Sequence, residues 1–267
     1  MGSNGGYIGY DATPKGDGKA PGVWGLRDVY LARLRGTWPV EYALAVAHDA
    51  PLVWLKLDET SGTTAADASG NGNNGAYNGG YTLGAAPVVN DGLYAVTLNG
   101  STGYVSLPAL GTLTSWTLEA WGIFNSVSGE QTAISNDLAG WNDDVLFGLN
   151  PESPGGTTAG RIGVVHHDAT DSVRTRVQAG TAAVVGARYH MVATSDGAAL
   201  RLYINGPLAA VNSRAGAALK FGNNPVNIGR NPTYGRYINA RLDHVAIYGH
   251  PLSAERVQAH YNAGIAQ

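Results

Sequence analysis

The feature that most constrains the fold of this chain is a two-residue alternation of apolar and polar side chains. In its clearest example, residues 200–204 alternate leucine or isoleucine with arginine or tyrosine, and Asn205-Gly206 follows directly. A period of two places successive side chains on opposite faces of a strand, and Asn-Gly accepts the positive φ angles of a tight hairpin turn. This stretch therefore predicts a β-hairpin with one buried face.

The same alternation recurs along the chain between turns rich in glycine and asparagine. Residues 94–108 read as a strand, an Asn99-Gly100 turn and a second strand, which predicts another hairpin. Residues 253–261 predict a short C-terminal helix with Ser253 as its N-cap. The other expected strands are Pro51–Leu57, Ser115–Phe124, Thr132–Ser135, Val145–Leu149, Arg161–His166, Val173–Ala179, Tyr189–Thr194, Pro225–Gly229 and Ala240–Tyr248. The chain is thus predicted to be all-β and mainly antiparallel.

Composition excludes several classes of function. Charged residues make up 14% of the 267 residues and the formal net charge is −3, which disfavours a basic nucleic-acid-binding face. There is no cysteine, so disulfides, thiolate metal sites and cysteine nucleophiles are excluded. No apolar stretch approaches the roughly 18 residues of a membrane span, and no secretory signal pattern opens the sequence. We expect no membrane insertion and no ordinary secretion signal.

The first 45 residues are expected to form an arm ahead of a domain at 46–267. Residues 1–22 lack an apolar period, and a short amphipathic helix follows them. A helix of two to three turns is marginal alone in water, so its apolar side chains need a partner surface. It packs either on its own domain or on another subunit. The residues assigned to this docking or oligomerisation surface are Trp24, Leu26, Tyr30, Leu34 and Trp38.

This N-terminal segment resembles a short element of bacteriophage tail and adhesin proteins. The element reads G-x-W-x-L-R-D-x-Y-x-x-R and then W-P, and it matches Gly22–Arg33 followed by Trp38-Pro39. The resemblance implies a virion protein made in the host cytoplasm. Its implied partners are other virion proteins and further copies of itself, most simply as a trimer.

Six sequence blocks resemble, in order, the laminin-G-like domains of the concanavalin A-like jelly-roll superfamily. The blocks are Leu98–Val105, Thr117–Trp121, Tyr189–Thr194, Leu202–Gly206 (L-Y-I-N-G), Asn227–Arg230 (N-I-G-R) and Leu242–Val257. Tyr189 departs from the family pattern, which has tryptophan there. The resemblance implies an antiparallel β-sandwich, a concanavalin A-like jelly roll, with a short N-terminal helix and a short C-terminal helix.

A calcium site is implied by the same resemblance. The loop from Asp67 to Gly75 resembles the family motif D-x-S-G-N-G-N, and Asp243 stands at the family's aspartate in the C-terminal strand. The implied ligands of a structural Ca²⁺ are Asp67, Asn73 and Asp243, with Asn71 and Asp58 in reserve, since Ca²⁺ prefers oxygen ligands. The alternative is that these side chains accept hydrogen bonds from turn amides and cap a strand end.

The carboxylates disfavour catalysis. Sugar-cleaving relatives use E-x-D-x-x-E or E-x-D-x-E on one strand, and none of the six glutamates here begins such a motif. Glu119 alternates with Trp121 on one sheet face, which favours a paired or exposed polar residue over a cleft wall. His166 and His167 are adjacent in a strand and point to opposite faces, so they cannot share a metal ion without a bulge. We therefore expect no enzyme activity.

Two predicted loops carry the residue types of a carbohydrate site. Sugar recognition combines an aromatic platform with amide or charged hydrogen-bonding groups. One loop supplies Trp141, Asn142 and Asp144, and the other supplies Tyr234 and Arg236. The alternative for Trp141 is a loop anchor with a buried indole.

The sequence as a whole predicts a non-catalytic bacteriophage virion protein, a tail, fibre or decoration component. Its lectin-like domain would adhere to the host surface or to a host glycan. The alternative is a carbohydrate-binding module of an extracellular bacterial protein, which explains the domain equally well but not the N-terminal segment. A virion component is expected to be a symmetric oligomer, whereas a binding module is usually monomeric.

Overall fold

The computed structural model describes residues 40–138, 144–151, 160–168, 174–213 and 218–266. These residues form two helices, α1 (Val40–His48) and α2 (Ala254–Ile265). They also form the strands β1 (Val53–Leu55), β2 (Thr64–Ala65), β3 (Gly75–Asn78), β4 (Tyr81–Ala85), β5 (Ala95–Asn99), β6 (Tyr104–Ala109), β7 (Trp116–Phe124), β8 (Gln131–Ser135), β9 (Val145–Leu149), β10 (Ile162–His167), β11 (Arg174–Gln178), β12 (Arg188–Ser195), β13 (Ala199–Ile204), β14 (Leu208–Ser213), β15 (Pro225–Ile228), β16 (Arg230–Asn231), β17 (Arg236–Tyr237) and β18 (Asn239–Tyr248). The predicted helix around residues 24–34 lies outside the described residues.

In the described part of the chain the strands build two eight-stranded sheets and a small β16–β17 ribbon. The first sheet runs β14-β13-β12-β7-β18-β5-β4, with β1 beside β18, and the second runs β11-β10-β9-β8-β15-β6-β3-β2. Apolar side chains from both sheets form one buried core between them, including Leu118 from the first sheet and Phe147 from the second. The predicted antiparallel β-sandwich is confirmed.

Strand β7 shows why alternation specifies this packing. Trp116, Leu118 and Ala120 point into the core between the sheets, as their shared face predicts. Trp121 points to the opposite face and joins a second apolar cluster beneath the two helices. The first sheet is therefore covered on both of its faces.

The Asn-Gly turns have different outcomes. The β13–β14 hairpin is confirmed, with Asn205 at φ 55° and Gly206 at φ 99°. The hairpin expected at residues 94–108 is wrong, because β5 pairs with β4 and β18 in the first sheet whereas β6 pairs with β3 and β15 in the second. The Asn99 side chain accepts hydrogen bonds from the backbone amides of residues 101–103, and this turn carries the chain from one sheet to the other.

Both helices pack on the outer face of the first sheet. Helix α1 runs across the boundary drawn from sequence between residues 45 and 46, and its Tyr42 is buried. Helix α2 begins at the predicted N-cap, where Ser253 Oγ accepts a hydrogen bond from the Arg256 backbone amide. A Cβ at Gly264 would collide with the Trp121 ring, so glycine allows α2 to approach the sheet closely. No described helix has the length and apolarity to span a membrane.

A fully buried carboxylate, Glu119 of β7, joins the helices to the first sheet. Its Oε1 accepts a hydrogen bond from the Tyr42 hydroxyl at 2.9 Å, and its Oε2 accepts one from the Tyr248 hydroxyl at 2.8 Å. His190 Nε2 lies 2.8 Å from Oε1, and His260 Nδ1 lies 3.0 Å from Oε2. Glu119 is thus the paired polar residue that the sequence favoured, with partners from α1, β12, β18 and α2.

The second nitrogen of His260 extends this network to α1. His260 Nε2 lies 2.9 Å from Asp49 Oδ2, and Arg256 Nε donates to the same oxygen at 2.9 Å. Burial lowers the pKa of His260, but the charges and hydrogen bonds of Glu119 and Asp49 outweigh it and raise the pKa from 6.5 to about 9. His260 is therefore an imidazolium at neutral pH, held between two carboxylates.

Replacing this buried charge should cost much of the stability. We expect Glu119→Gln to lower the free energy of unfolding by about 3–5 kcal/mol, because it removes one member of a buried ion pair. The control is Glu130→Gln, which breaks a surface ion pair with Arg236 and should cost less than about 1 kcal/mol. Urea denaturation measures both, and equal losses would contradict the structural role of Glu119.

The pH dependence of stability should reflect the two ends of this network. The raised pKa of His260 means that its contribution is complete below pH 6.5 and is lost as the pH rises through about 9. Burial raises the pKa of Asp49, but hydrogen bonds from His260 and Arg256 lower it from 3.8 to about 2, so its contribution is present above 3.8 and is lost towards 2. Urea midpoints from pH 3 to 10 should fall at both ends. His260→Gln should remove most of the alkaline fall, whereas the exposed His250→Gln should leave it.

Candidate functional site

The outer face of the second sheet, away from the core, is fixed by strand register. Cross-strand partners share a face, so one transverse row points outward while the next row points into the core. The inward row is Tyr77, Val105, Ile228, Ile134, Phe147 and Val164, all members of the core. The outward row is Ala76, Ser106, Asn227, Ser135, Leu146 and Val165. Its β6, β15 and β8 members are polar.

A group of aromatic and polar side chains lies at this face, where β6 and β15 meet the β16–β17 ribbon. We call it the tyrosine patch, and it consists of Tyr104, Asn227, Arg230, Tyr234 and Tyr237. The Arg230 guanidinium lies over the Tyr104 ring, with Cζ 3.7 Å from its centroid, and the Tyr104 and Tyr237 centroids are 6.3 Å apart. Tyr234 is 49% exposed. Asn227 is only 5% exposed. The patch therefore offers tyrosine rings and the Arg230 guanidinium at one surface.

Gly229 positions the ribbon that carries most of the patch. Its φ of 88° turns the chain out of β15, and a Cβ there would collide with the Leu98 side chain. The Gly229 amide donates to the Ala133 carbonyl at 2.8 Å, and Ser135 Oγ donates to the Arg230 carbonyl at 2.9 Å. These two bonds anchor the start of the ribbon to β8.

Two buried aspartates lie beside the ribbon. Asp137, just after β8, is 3% exposed, and Asp144, just before β9, is fully buried, with its Oδ2 3.3 Å from His167 Nδ1. Burial, together with the neighbouring Asp144 carboxylate, raises the pKa of Asp137, while hydrogen bonding with Thr233 and Asn231 of the ribbon lowers it. Asp144, which belongs to one predicted sugar-binding loop, is therefore linked through Asp137 to the β16–β17 turn, which belongs to the other.

The predicted sugar-binding residues are only partly brought together. Asp144 and Tyr234 lie on these two adjoining segments, whereas Trp141 and Asn142 lie outside the described residues. Arg236 forms an ion pair with Glu130, with Nε 2.9 Å from Oε2. Sequence reasoning missed the patch residues of β6, β15, β16 and β17, namely Tyr104, Asn227, Arg230 and Tyr237. The N-I-G-R block was a signal for two of them, but no local signal places Tyr104 beneath Arg230.

The predicted calcium ligands have other partners. Asp67 Oδ1 accepts from the amides of Trp54 and Ser69 at 2.9 and 3.0 Å, and Oδ2 accepts from Ser69 Oγ and the Asn73 amide, both at 2.8 Å. A carboxylate has about four lone-pair sites, and protein donors use four here. Asp67 would have to give up hydrogen bonds to bind Ca²⁺, so as it stands it does not fit a calcium ligand.

Asp243, the third predicted calcium ligand, binds backbone amides before β5. Its Oδ2 accepts from the backbone amides of Val88 and Val89 at 2.8 and 3.0 Å, and burial raises its pKa to about 6. Within the described ranges, no group of three or more His, Cys, Asp or Glu side chains is arranged to hold a metal ion. Calcium binding by Asp67, Asn73 and Asp243 stays a prediction.

Glu119 is remote from the tyrosine patch. It lies under the helices at the outer face of the first sheet, whereas the patch is on the outer face of the second. Its carboxylate is enclosed by two tyrosines and two histidines. It therefore has no access to a ligand at the patch.

A family model described as the concanavalin A-like lectin/glucanases superfamily matches residues 99–258. No curated protein matches this sequence. Among solved structures, the chain is similar to domain 4 of AbnA, an extracellular arabinanase from Geobacillus stearothermophilus, in complex with arabinotriose. The TM-score is 0.60 at 18% identity, and the match covers 79% of this chain and 98% of that domain.

Two toxin structures are also similar. The binding domain of Paraclostridial Mosquitocidal Protein 1 gives a TM-score of 0.62 at 15% identity, covering 80% of this chain and 52% of that one. Botulinum neurotoxin type C, whose cell entry depends on interaction with two ganglioside molecules, gives 0.59 at 13% identity, covering 84% and 53%. This chain thus spans about half the length of the two toxin structures. At these identities the likeness shows the fold.

The roles of Asp67 in the loop and in metal binding can be separated. In EDTA we expect Asp67→Ala to lower the free energy of unfolding by about 3 kcal/mol, because backbone donors would lose a charged acceptor. The control is Asp58→Ala, which removes a reserve candidate for the calcium site and should lower the free energy of unfolding by less than about 1 kcal/mol. Urea denaturation with EDTA or Ca²⁺ is the measurement. A loss seen only with Ca²⁺ would contradict the metal-free role and support calcium binding.

Proposed function

The chain belongs to the concanavalin A-like lectin/glucanase superfamily, and we propose that it binds a carbohydrate at the tyrosine patch without cleaving it. The observation that carries this proposal is a chain of contacts between the two loops predicted to bind sugar. Asp144 of the first loop contacts Asp137, and Asp137 hydrogen-bonds with Thr233 and Asn231 beside Tyr234 of the second. The arabinotriose complex of the arabinanase domain gives one precedent for sugar binding on this fold.

The chemistry of the patch suits a sugar ring. Tyrosine rings stack on the apolar face of a pyranose or furanose, while amides and guanidinium groups bond its hydroxyls. Tyr234 and Tyr237 supply rings, and Arg230 supplies a hydrogen-bonding group that is already oriented, because its Nη2 donates to the buried Asn227 Oδ1 at 2.9 Å. A preorganised site loses less entropy on binding.

Binding without cleavage is supported by the state of the acidic residues. Glycoside hydrolysis needs two carboxyl groups on either side of the scissile bond. Among the described residues, Asp137 and Asp144 are the aspartates beside the patch, and they are 3% and 0% exposed and in contact with each other, while Glu130 pairs with Arg236. A glycosidic bond cannot enter between them. We propose that they stabilise the segment beneath the patch instead.

The setting of the domain is a separate proposal. A phage virion protein, adhering to a host glycan as a trimer, rests on the resemblance of residues 22–39, which lie outside the described part of the chain. A carbohydrate-binding module of an extracellular bacterial protein is favoured by the likeness to the arabinanase domain. The mass of the full chain in solution separates the two, since a trimer favours the virion and a monomer favours the module.

Binding should depend on the exposed tyrosine of the patch. We expect Tyr234→Ala to weaken the affinity for the best glycan of an array about fivefold, because stacking on one ring contributes about 1 kcal/mol. The matched control is Tyr94→Ala, since Tyr94 is also 49% exposed but lies beside β5 of the first sheet. Calorimetry measures both affinities. Equal losses would place the site elsewhere, and an array without binding, or release of reducing sugar from a polysaccharide, would overturn the proposal.

A further inference from the structure

Two contacts fix the orientation of the Arg230 guanidinium. Its guanidinium stacks on the Tyr104 ring at 3.7 Å, and its Nη2 donates to Asn227 Oδ1 at 2.9 Å. The positive φ of Gly229 directs the chain so that this stack forms. A planar guanidinium fixed on a ring loses little further entropy when it bonds a ligand.

The charge of Arg230 is not neutralised within the described residues. It forms no ion pair there, whereas Arg201, Arg236 and Arg256 each pair with a carboxylate at 2.8–2.9 Å. Its Nε is buried with no hydrogen-bond partner in the described structure. An arginine has five N–H donors, and Arg230 gives one of them to a protein side-chain acceptor, Asn227 Oδ1. The remaining terminal donors at Nη1 are open at a partly exposed residue.

The neighbouring carboxylates are committed elsewhere. Glu130 pairs with Arg236, and Asp144 lies against His167 and Asp137. No carboxylate of the described residues neutralises Arg230, so its positive charge above the Tyr104 ring is available to an anion from outside the protein.

We propose that the tyrosine patch prefers a carboxylate-bearing sugar, such as a uronic acid residue, and that Arg230 binds its carboxylate. This inference rests on the proposed function and specifies its ligand. A carboxylate is planar and matches the guanidinium fork with two parallel hydrogen bonds, which are stronger than bonds between neutral groups. The sugar ring then lies towards Tyr237, whose centroid is 6.3 Å from that of Tyr104 and whose ring can contact its apolar face.

The test compares polymers that differ only at the acid group. Polygalacturonate, alginate and hyaluronan are each measured by calorimetry against their carboxyl-reduced forms, with the full chain. At least one acid polymer should bind about tenfold or more tightly than its reduced form, and its affinity should fall with added salt. Arg230→Gln should reduce acid binding to the level of the reduced polymer, and Arg230→Lys should keep part of the preference.

Controls separate a specific site from general charge. Arg201→Gln removes the same charge from a paired arginine on β13 and should change acid binding less than about twofold. Dextran sulfate reports binding to a non-planar anion and should show a smaller effect of Arg230→Gln. Equal losses in the Arg201 and Arg230 variants, or an acid preference that survives Arg230→Gln, would overturn the assignment.

The failure of this inference differs from the failure of the proposed function. Equal binding of acid and reduced polymers, with both lost in Tyr234→Ala, keeps the glycan site and overturns the acid preference. Binding of neutral glycans alone would likewise keep the glycan site and overturn the acid preference. Absence of binding to every polymer and every glycan of an array overturns both. The acid and reduced forms are compared on the unsubstituted chain, so the test stands even if Arg230→Gln lowers stability.

Discussion

The structure depends on how a buried negative charge is satisfied. Glu119 sits in the middle of β7, inside an apolar layer, where an isolated carboxylate would be very costly. It is tolerable because Tyr42, Tyr248, His190 and His260 surround it with hydrogen-bond donors. These donors come from both helices and two other strands. The helices are therefore required parts of the domain, since removing either would take away one of the four donors and expose the carboxylate in β7.

This arrangement divides the surface of the sandwich between stability and binding. The helices and their charged network cover the outer face of the first sheet, and Gly264 lets α2 lie directly on Trp121. The outer face of the second sheet keeps a polar and aromatic area at Tyr104 and Asn227. In a sandwich each strand turns one set of side chains inward, so the outward set is free to vary with the ligand. The binding site proposed here uses that freedom.

The charged groups on the outer faces of the two sheets differ in whether they have a partner of opposite charge. Around Glu119 the charges are internally matched, with His260 between two carboxylates. At the tyrosine patch the match is incomplete, since Arg230 is fixed by a ring and an amide and has no carboxylate partner among the described residues. An internally matched network stabilises a fold, whereas a fixed and unneutralised group suits recognition of a ligand. Charged side chains therefore stabilise the fold around Glu119, whereas at the tyrosine patch Arg230 is suited to bind a ligand.

The sequence by itself determined most of the longer strands, the β13–β14 hairpin, the N-cap at Ser253 and which face of β7 is buried, because alternation, turn residues and caps act over a few residues. It did not predict the short strands β2, β3, β4, β16 and β17. It could not decide whether the Asn99-Gly100 turn returns the chain to the same sheet, since the local turn is compatible with both outcomes. Only the tertiary structure brought Tyr104 beneath Arg230 and surrounded Glu119 with its donors. These contacts join residues far apart in the chain, and strand order in the two sheets, which no local pattern encodes, brings them together.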